Sequence, residues 1–161
     1  MTNSTKKTTT KEKAKLPPNP FIHEILDLAS KQRSKVKKVE ILQEYGNPAL
    51  KSLLIWNFDD TVVSVVPPGD VPYKANEVPV GTDHTSLRKE YKHLFNFVKG
   101  GNDSLTSLRR ETMFIQMLEG LHPEEASILC LVKDKALQTK YKLTYEVIKE
   151  AYPDINWGGR S

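Results

Sequence analysis

The chain has 161 residues, 38% of them hydrophobic and 27% charged, which suits one globular domain of ordinary size. No apolar run approaches the ~18 residues of a membrane span. The opening "MTNSTKKTTTKEKAKLPPNP" lacks both the apolar core of a secretory signal and the arginines and amphipathic repeat of a transit peptide.

Threonine, lysine and proline bury too little surface to offset the entropy of ordering, so residues 1–19 are predicted to be a disordered tail. The tail holds Lys6, Lys7, Lys11, Lys13 and Lys15 against Glu12. Taken from 24 basic and 20 acidic residues, this leaves nineteen of each, so the body is neutral although the overall pI is 9.0. A nucleic-acid surface on the body therefore requires local segregation of charge.

Helical signals follow in order. In "NPFIHEILDLASKQ", Asn19 suits a cap and Pro20 a first helical position, with Ile22, Ile25, Leu26 and Ala29 on one face. "SKVKKVEILQEYG" runs from a Ser34 cap to Gly46, a left-handed stop, and should turn Val36, Val39 and Leu42 inward. "NPALKSLLIWNF" starts again at Asn47 and Pro48; it is apolar over most of its surface, so Trp56 is expected in the core.

The middle changes character. Val62, Val63, Val65 and Val66 suit a short strand, which Pro67 and Pro68 leave no room to lengthen. A long, extended crossover through Pro72 and Pro79 is expected, pinned by Val71, Tyr73 and Val78.

Helices resume at "TSLRKEYKHLFNFVKGG", with Leu87, Tyr91, Leu94, Phe95 and Val98 as a stripe and Gly100 or Gly101 as its end. "SLTSLRRETMFIQMLEG" follows from a Ser104 cap, with Leu108, Ile115 and Leu118 on one face. Thr144 caps "LTYEVIKEAYP", and Pro153 stops it. The fold class is therefore all-α: a single bundle-like helical domain over 20–161, with a long proline-rich crossover and a disordered basic tail, 1–19.

Catalytic signals are weak. In "HPEEASIL", Pro123 suits a first helical position, and Glu124 and Glu125 favour the positive end of the helix dipole. His122 lacks the second histidine four residues away that a metalloprotease helix needs; His23, His84 and His93 are distant and unclustered in sequence. Asp59 and Asp60 suit a turn cap better than a metal site, since hard cations want further oxygen ligands. Cys130 is alone and reads as a buried structural cysteine. "VKGGND" reads as a helix stop, not a phosphate loop, and no nucleophile-elbow serine occurs. No catalytic residue, metal or cofactor is assigned, and no enzyme is expected.

One charge cluster stands out. "KQRSKVKK" carries Lys31, Arg33, Lys35, Lys37 and Lys38 with no acid among them, at the junction of two helices. Such a turn can grip phosphate oxygens, each contact releasing counterions. The alternative is a solvated face that keeps the domain soluble.

The run "ILDLASKQRSKVKKVEILQEYGNPALKSLL" resembles the opening of the helical N-terminal DNA-binding domain of T-even phage ATP-dependent DNA ligases. No Lys-x-Asp-Gly occurs, so that resemblance implies a DNA-gripping module without the catalytic lysine. A longer set of segments is similar to an uncharacterised protein family of marine T-even-like phages, cyanophages included. It comprises "KVEILQEYGNPALKSLLIWNFD", "VPPGDVPYKANEVPVGTDHTSL", "LFNFVKGG", "RRETMFIQMLEGLHPEEASILCLVKDKAL" and "LTYEVIKEAYP". This implies a viral protein acting in the bacterial host cytoplasm or carried in the virion.

Two functions are expected from these readings. One is a non-catalytic DNA-associated accessory protein that binds duplex DNA without sequence preference, through phosphates. The other is a protein-interaction or structural component of the virion or its assembly, with phage or host proteins as partners. Neither involves a membrane.

Overall fold

A computed structural model describes residues 16–76 and 85–158, and these form an all-α fold. In chain order the helices are α1 (Ile22–Lys31), α2 (Lys35–Glu44), α3 (Pro48–Phe58), α4 (Leu87–Glu90), α5 (Ser107–Gly120), α6 (Pro123–Lys133) and α7 (Tyr145–Ala151). A first 3-10 helix (Tyr91–Phe97) follows α4, and a second (Leu137–Thr139) follows α6. Among the described residues no strand forms. Val62–Val66 contributes only an isolated antiparallel bridge, Ser64 to Val98. Most of the predicted tail, and Val78, lie outside the described residues; Leu16 packs on the core and its N–H donates to the Tyr45 hydroxyl at 2.9 Å.

The apolar stripes read from the sequence build the centre. Ile22, Ile25, Leu26 and Ala29 of α1 are all fully buried, as are Leu50, Leu53 and Leu54 of α3. Trp56 is buried, and its Nε1 donates to Ser64 Oγ at 2.7 Å, whose hydroxyl donates to the Lys133 carbonyl. Ser34, Asn47 and Thr144 cap α2, α3 and α7, their side-chain oxygens accepting from Lys37, Leu50 and Val147 N–H. Pro48 and Pro123 occupy first-turn positions.

Several boundaries differ from the sequence reading, each for a local reason. α1 starts at Ile22 with Phe21 at the N-cap, not with Asn19 as cap and Pro20 as first residue. Glu24 Oε1 accepts the Phe21 N–H, while Asn19 sits in the left-handed region at φ 55°. α5 is capped by Thr106, not Ser104, because Asn102 Oδ1 takes both the N–H and the hydroxyl of Ser104. Gly46 is not left-handed. A Cβ there would crowd the Tyr152 hydroxyl at 3.0 Å and the Leu42 carbonyl oxygen at 3.1 Å, and that hydroxyl donates to the same carbonyl. The segment after Thr85 is not one α-helix: α4 gives way to 3-10 geometry, whose three residues per turn rotate Phe95 out to 49% exposure.

Val36, expected inward, is 61% exposed, while Val39 and Leu42 are buried as expected. Leu108 is 77% exposed, because α5 buries only the narrow stripe of Phe114 and Leu118.

The "HPEE" helix start has a consequence beyond its dipole. Glu125, in the first turn of α6, is fully buried. Its Oε2 accepts the Ile22 N–H at 2.9 Å and its Oε1 the Leu87 N–H at 2.8 Å. Both donors open helices, so one carboxylate satisfies first-turn N–H groups of α1 and α4 at once. Burial pushes the Glu125 carboxyl above the ordinary range; the two N–H donors and nearby Arg88 pull it back.

Asp59, fully buried, behaves as the turn cap its sequence suggested. Oδ1 accepts the Thr61 N–H and hydroxyl, and Oδ2 accepts the Gly158 N–H at 2.8 Å.

Glu125→Ala leaves two buried N–H groups unpaired at roughly 1–3 kcal/mol each, so denaturant unfolding should show a stability loss of about 2–6 kcal/mol. A loss under about 1 kcal/mol would show the carboxylate to be dispensable. Trp56→Ala should cost about 3–5 kcal/mol, read the same way.

Candidate nucleic-acid interface

The structure spends most of the predicted basic cluster within the chain. Lys31 pairs with Asp27 one turn earlier in α1, at 3.0 Å on an exposed face. Lys35, in the first turn of α2, reaches Glu150 at 3.1 Å and Glu146 at 3.7 Å, both on α7, and the Glu150 hydrogen bond raises its pKa. Lys38 turns back onto the end of α1. Its Nζ donates to the carbonyls of Ala29 (3.4 Å), Ser30 (3.0 Å) and Lys142 (2.9 Å). Burial, and secondarily Lys142, lower its pKa. A cation at a helix C-terminus satisfies orphan carbonyls and complements the dipole there. Lys35 and Lys38 thus do not form the shared solvent-facing side expected of them.

Arg33, in the α1–α2 turn, and Lys37, on α2, are exposed, and neither side chain bonds to another group of the protein among the described residues. Arg33 lies on a cavity of about 480 Å³ lined by Ser30, Lys31, Gln32, Arg33, Lys38 and Lys142. Four of these six are cations and none is an acid. Lys142 is the residue that sequence reasoning missed. Its N–H donates to Ser30 Oγ at 2.8 Å and its carbonyl accepts from Lys38, which fix the α7-side loop against the end of α1. The only sequence signal is "KYK", Lys140 to Lys142; nothing in the pattern shows where that loop returns.

His23 and His122 do come together, contrary to the sequence reading: their rings stack at 5.0 Å between centroids, with Phe21 beside both. The α1–α6 contact brings them there, and it leaves no trace in sequence spacing. His84 lies outside the described residues. Among the described residues no three His, Cys, Asp or Glu side chains are grouped to hold a metal, and no helix is long and apolar enough to cross a membrane. Cys130 is half-buried, not fully buried, beside Tyr73, and burial pushes its thiol pKa up. An apolar groove of about 280 Å³ runs between α3 and the first 3-10 helix, with Ile55, Trp56, Tyr91 and Phe95 in its wall.

Stability and anion contact should therefore separate. Lys38→Met should cost about 1 kcal/mol of stability, the net value of its hydrogen bonds, whereas Arg33→Ser and Lys142→Ser should each leave stability within about 0.5 kcal/mol of wild type. Equal losses in all three would show that the free cations are structural too.

No curated protein and no solved structure matches the chain. A family model does match, over residues 25–139, which runs from α1 through the second 3-10 helix and includes the whole Lys31–Lys38 cluster. The chain belongs to a family of unknown function (DUF6433).

Proposed function

We propose that this is a non-catalytic, DNA-associated accessory protein that holds duplex DNA through its phosphates. The observation that carries this reading is the cavity at the α1–α2 turn, lined by four cations from two distant parts of the chain and by no acid. Lys38 neutralises the carbonyl end of α1, which would otherwise repel an anion. Arg33 and Lys142 then face a phosphate with no carboxylate competing for them, and Lys37 extends the surface along α2. The exposed Lys31–Asp27 pair is weak enough to exchange Asp27 for a phosphate oxygen. Binding of this kind has no sequence preference, because only Arg33 has the fork to read a base edge. The likeness of "ILDLASKQRSKVKKVEILQEYGNPALKSLL" to the DNA-binding start of T-even phage ligases supports the same site. The likeness to marine T-even-like phage proteins supports action in the host cytoplasm during infection.

A second reading is favoured by how many cations the fold consumes. With Lys35 and Lys38 committed internally, the outer face is less basic than its sequence suggests, which suits a protein-interaction or structural role in the virion or its assembly.

Titration of labelled duplex DNA at several salt concentrations decides between them. The log affinity of the wild type should fall linearly with log salt. Replacing Arg33 and Lys142 by Ser together should reduce that slope by ~0.9 for every phosphate no longer neutralised. Lys35→Ser should leave the slope unchanged. No binding by the wild type at low salt, or a slope indifferent to Arg33 and Lys142, would favour the interaction reading.

A further inference from the structure

The first turns of α1 and α6 meet where the Phe21, His23 and His122 rings pack mutually against one another. His23 Nδ1 is buried and, among the described residues, has no hydrogen-bond partner. His23 lies against His122 at 5.0 Å between ring centroids, and Phe21 closes the stack at 5.5 Å from His23 and 4.8 Å from His122. His122 is the N-cap of α6, and its Nδ1 accepts the Glu124 N–H at 3.0 Å. That acceptance requires an unprotonated Nδ1. Both rings also sit at the positive ends of helices. We propose that the His23–His122 stack is an acid-sensitive latch, closed while both imidazoles are neutral and opened when they take up protons, which frees the start of α1 from the start of α6.

The charges around the stack define its balance. Glu24 on α1 and Glu124 on α6 favour the protonated rings, but both are engaged: Glu24 with the Phe21 N–H and Glu124 with Lys140 at 3.3 Å. Lys140, reaching in from beyond α6, opposes protonation, and Tyr141 lies close to Glu124 and Asp27. Arg88, on α4, donates to the Pro20 carbonyl at 3.0 Å and adds a further positive charge. Burial, then His122, lower the pKa of His23, with the two glutamates acting in the opposite sense. The folded state therefore binds a proton on His23 less readily than the unfolded chain. The latch's stabilisation is present above the unfolded value of about 6.5 and is lost as pH falls through it towards the lower folded value. Protonation of His122 Nδ1 would remove the α6 cap, because that nitrogen accepts the Glu124 N–H.

Amide hydrogen exchange on the full chain, corrected for intrinsic rates, tests this between pH ~7.5 and ~5.5, on either side of the ordinary histidine value. The wild type should lose protection several-fold at Ile22–Leu26 and at Glu124–Ala126, with little change in α3. His122→Asn keeps an N-cap acceptor but cannot titrate there, and His23→Phe keeps the stack. The double variant should hold its protection across that range. Glu125 touches the same junction and also titrates above the ordinary carboxylate value, but it is unchanged in the variant. Equal pH sensitivity in wild type and double variant would assign the effect to Glu125 and overturn the latch. Undiminished wild-type protection at the acidic end would overturn it as well. If the double variant proves unstable at the neutral end, His23→Phe alone, with the native cap, makes the same comparison at Ile22–Leu26.

Discussion

The Glu125 carboxylate is the constraint on which the arrangement depends. Three helices begin around it: α6, which carries it, and α1 and α4, whose first N–H groups it accepts. Its partners lie 103 and 38 residues away in sequence, so the two hydrogen bonds tie the front of the chain and the segment after the crossover to one point. A buried carboxylate is costly without partners. Here two backbone donors and the positive helix ends compensate, and the same contact satisfies N–H groups that would otherwise be orphaned in the core. Because α1 is fixed in this way, its far end lands where α2 turns and Lys142 approaches.

Cations play the complementary part at the other ends of the helices. Lys38 closes the carbonyl end of α1, and Lys135 closes that of α3 by donating to the Trp56 and Asp59 carbonyls at 2.7 Å each. Arg110 gathers the carbonyls of Asn96, Asn102 and Leu105. Lys133, with its side chain fully buried, holds the crossover by the Pro67 and Gly69 carbonyls and pairs with Asp134 at 2.6 Å. These four cations therefore serve as internal scaffolding. Of the α1–α2 cluster and Lys142, this leaves Arg33, Lys37 and Lys142, with Lys31 loosely held, for the proposed phosphate contact.

What the sequence disclosed was what local physics decides. Ser34, Asn47, Thr144 and Pro123 mark helix starts because capping is settled within three residues. The α1 and α3 faces were legible because 3.6-residue periodicity survives burial. Val36 and Phe95 were misjudged where a stripe was extended into a first turn or into 3-10 geometry. Gly46 ends α2 as its sequence suggests but not in the left-handed region, and the crowding there comes from Tyr152, far along the chain, and from the Leu42 carbonyl. The histidine stack and Lys142 were beyond sequence reasoning altogether: both arise from contacts across the fold between segments with no shared pattern. For the same reason the charge run located the candidate surface but not which of its members remain free.

The central functional claim is that phosphate meets the protein at the cavity between the α1–α2 turn and Lys142. Its most direct test is a map of backbone amide chemical-shift changes as a short DNA duplex is added at low salt. The largest changes should fall at Ser30, Gln32, Arg33, Lys37 and Lys142 and fade as salt is raised. Changes centred instead on the groove of Ile55, Tyr91 and Phe95, or no changes at all, would contradict it.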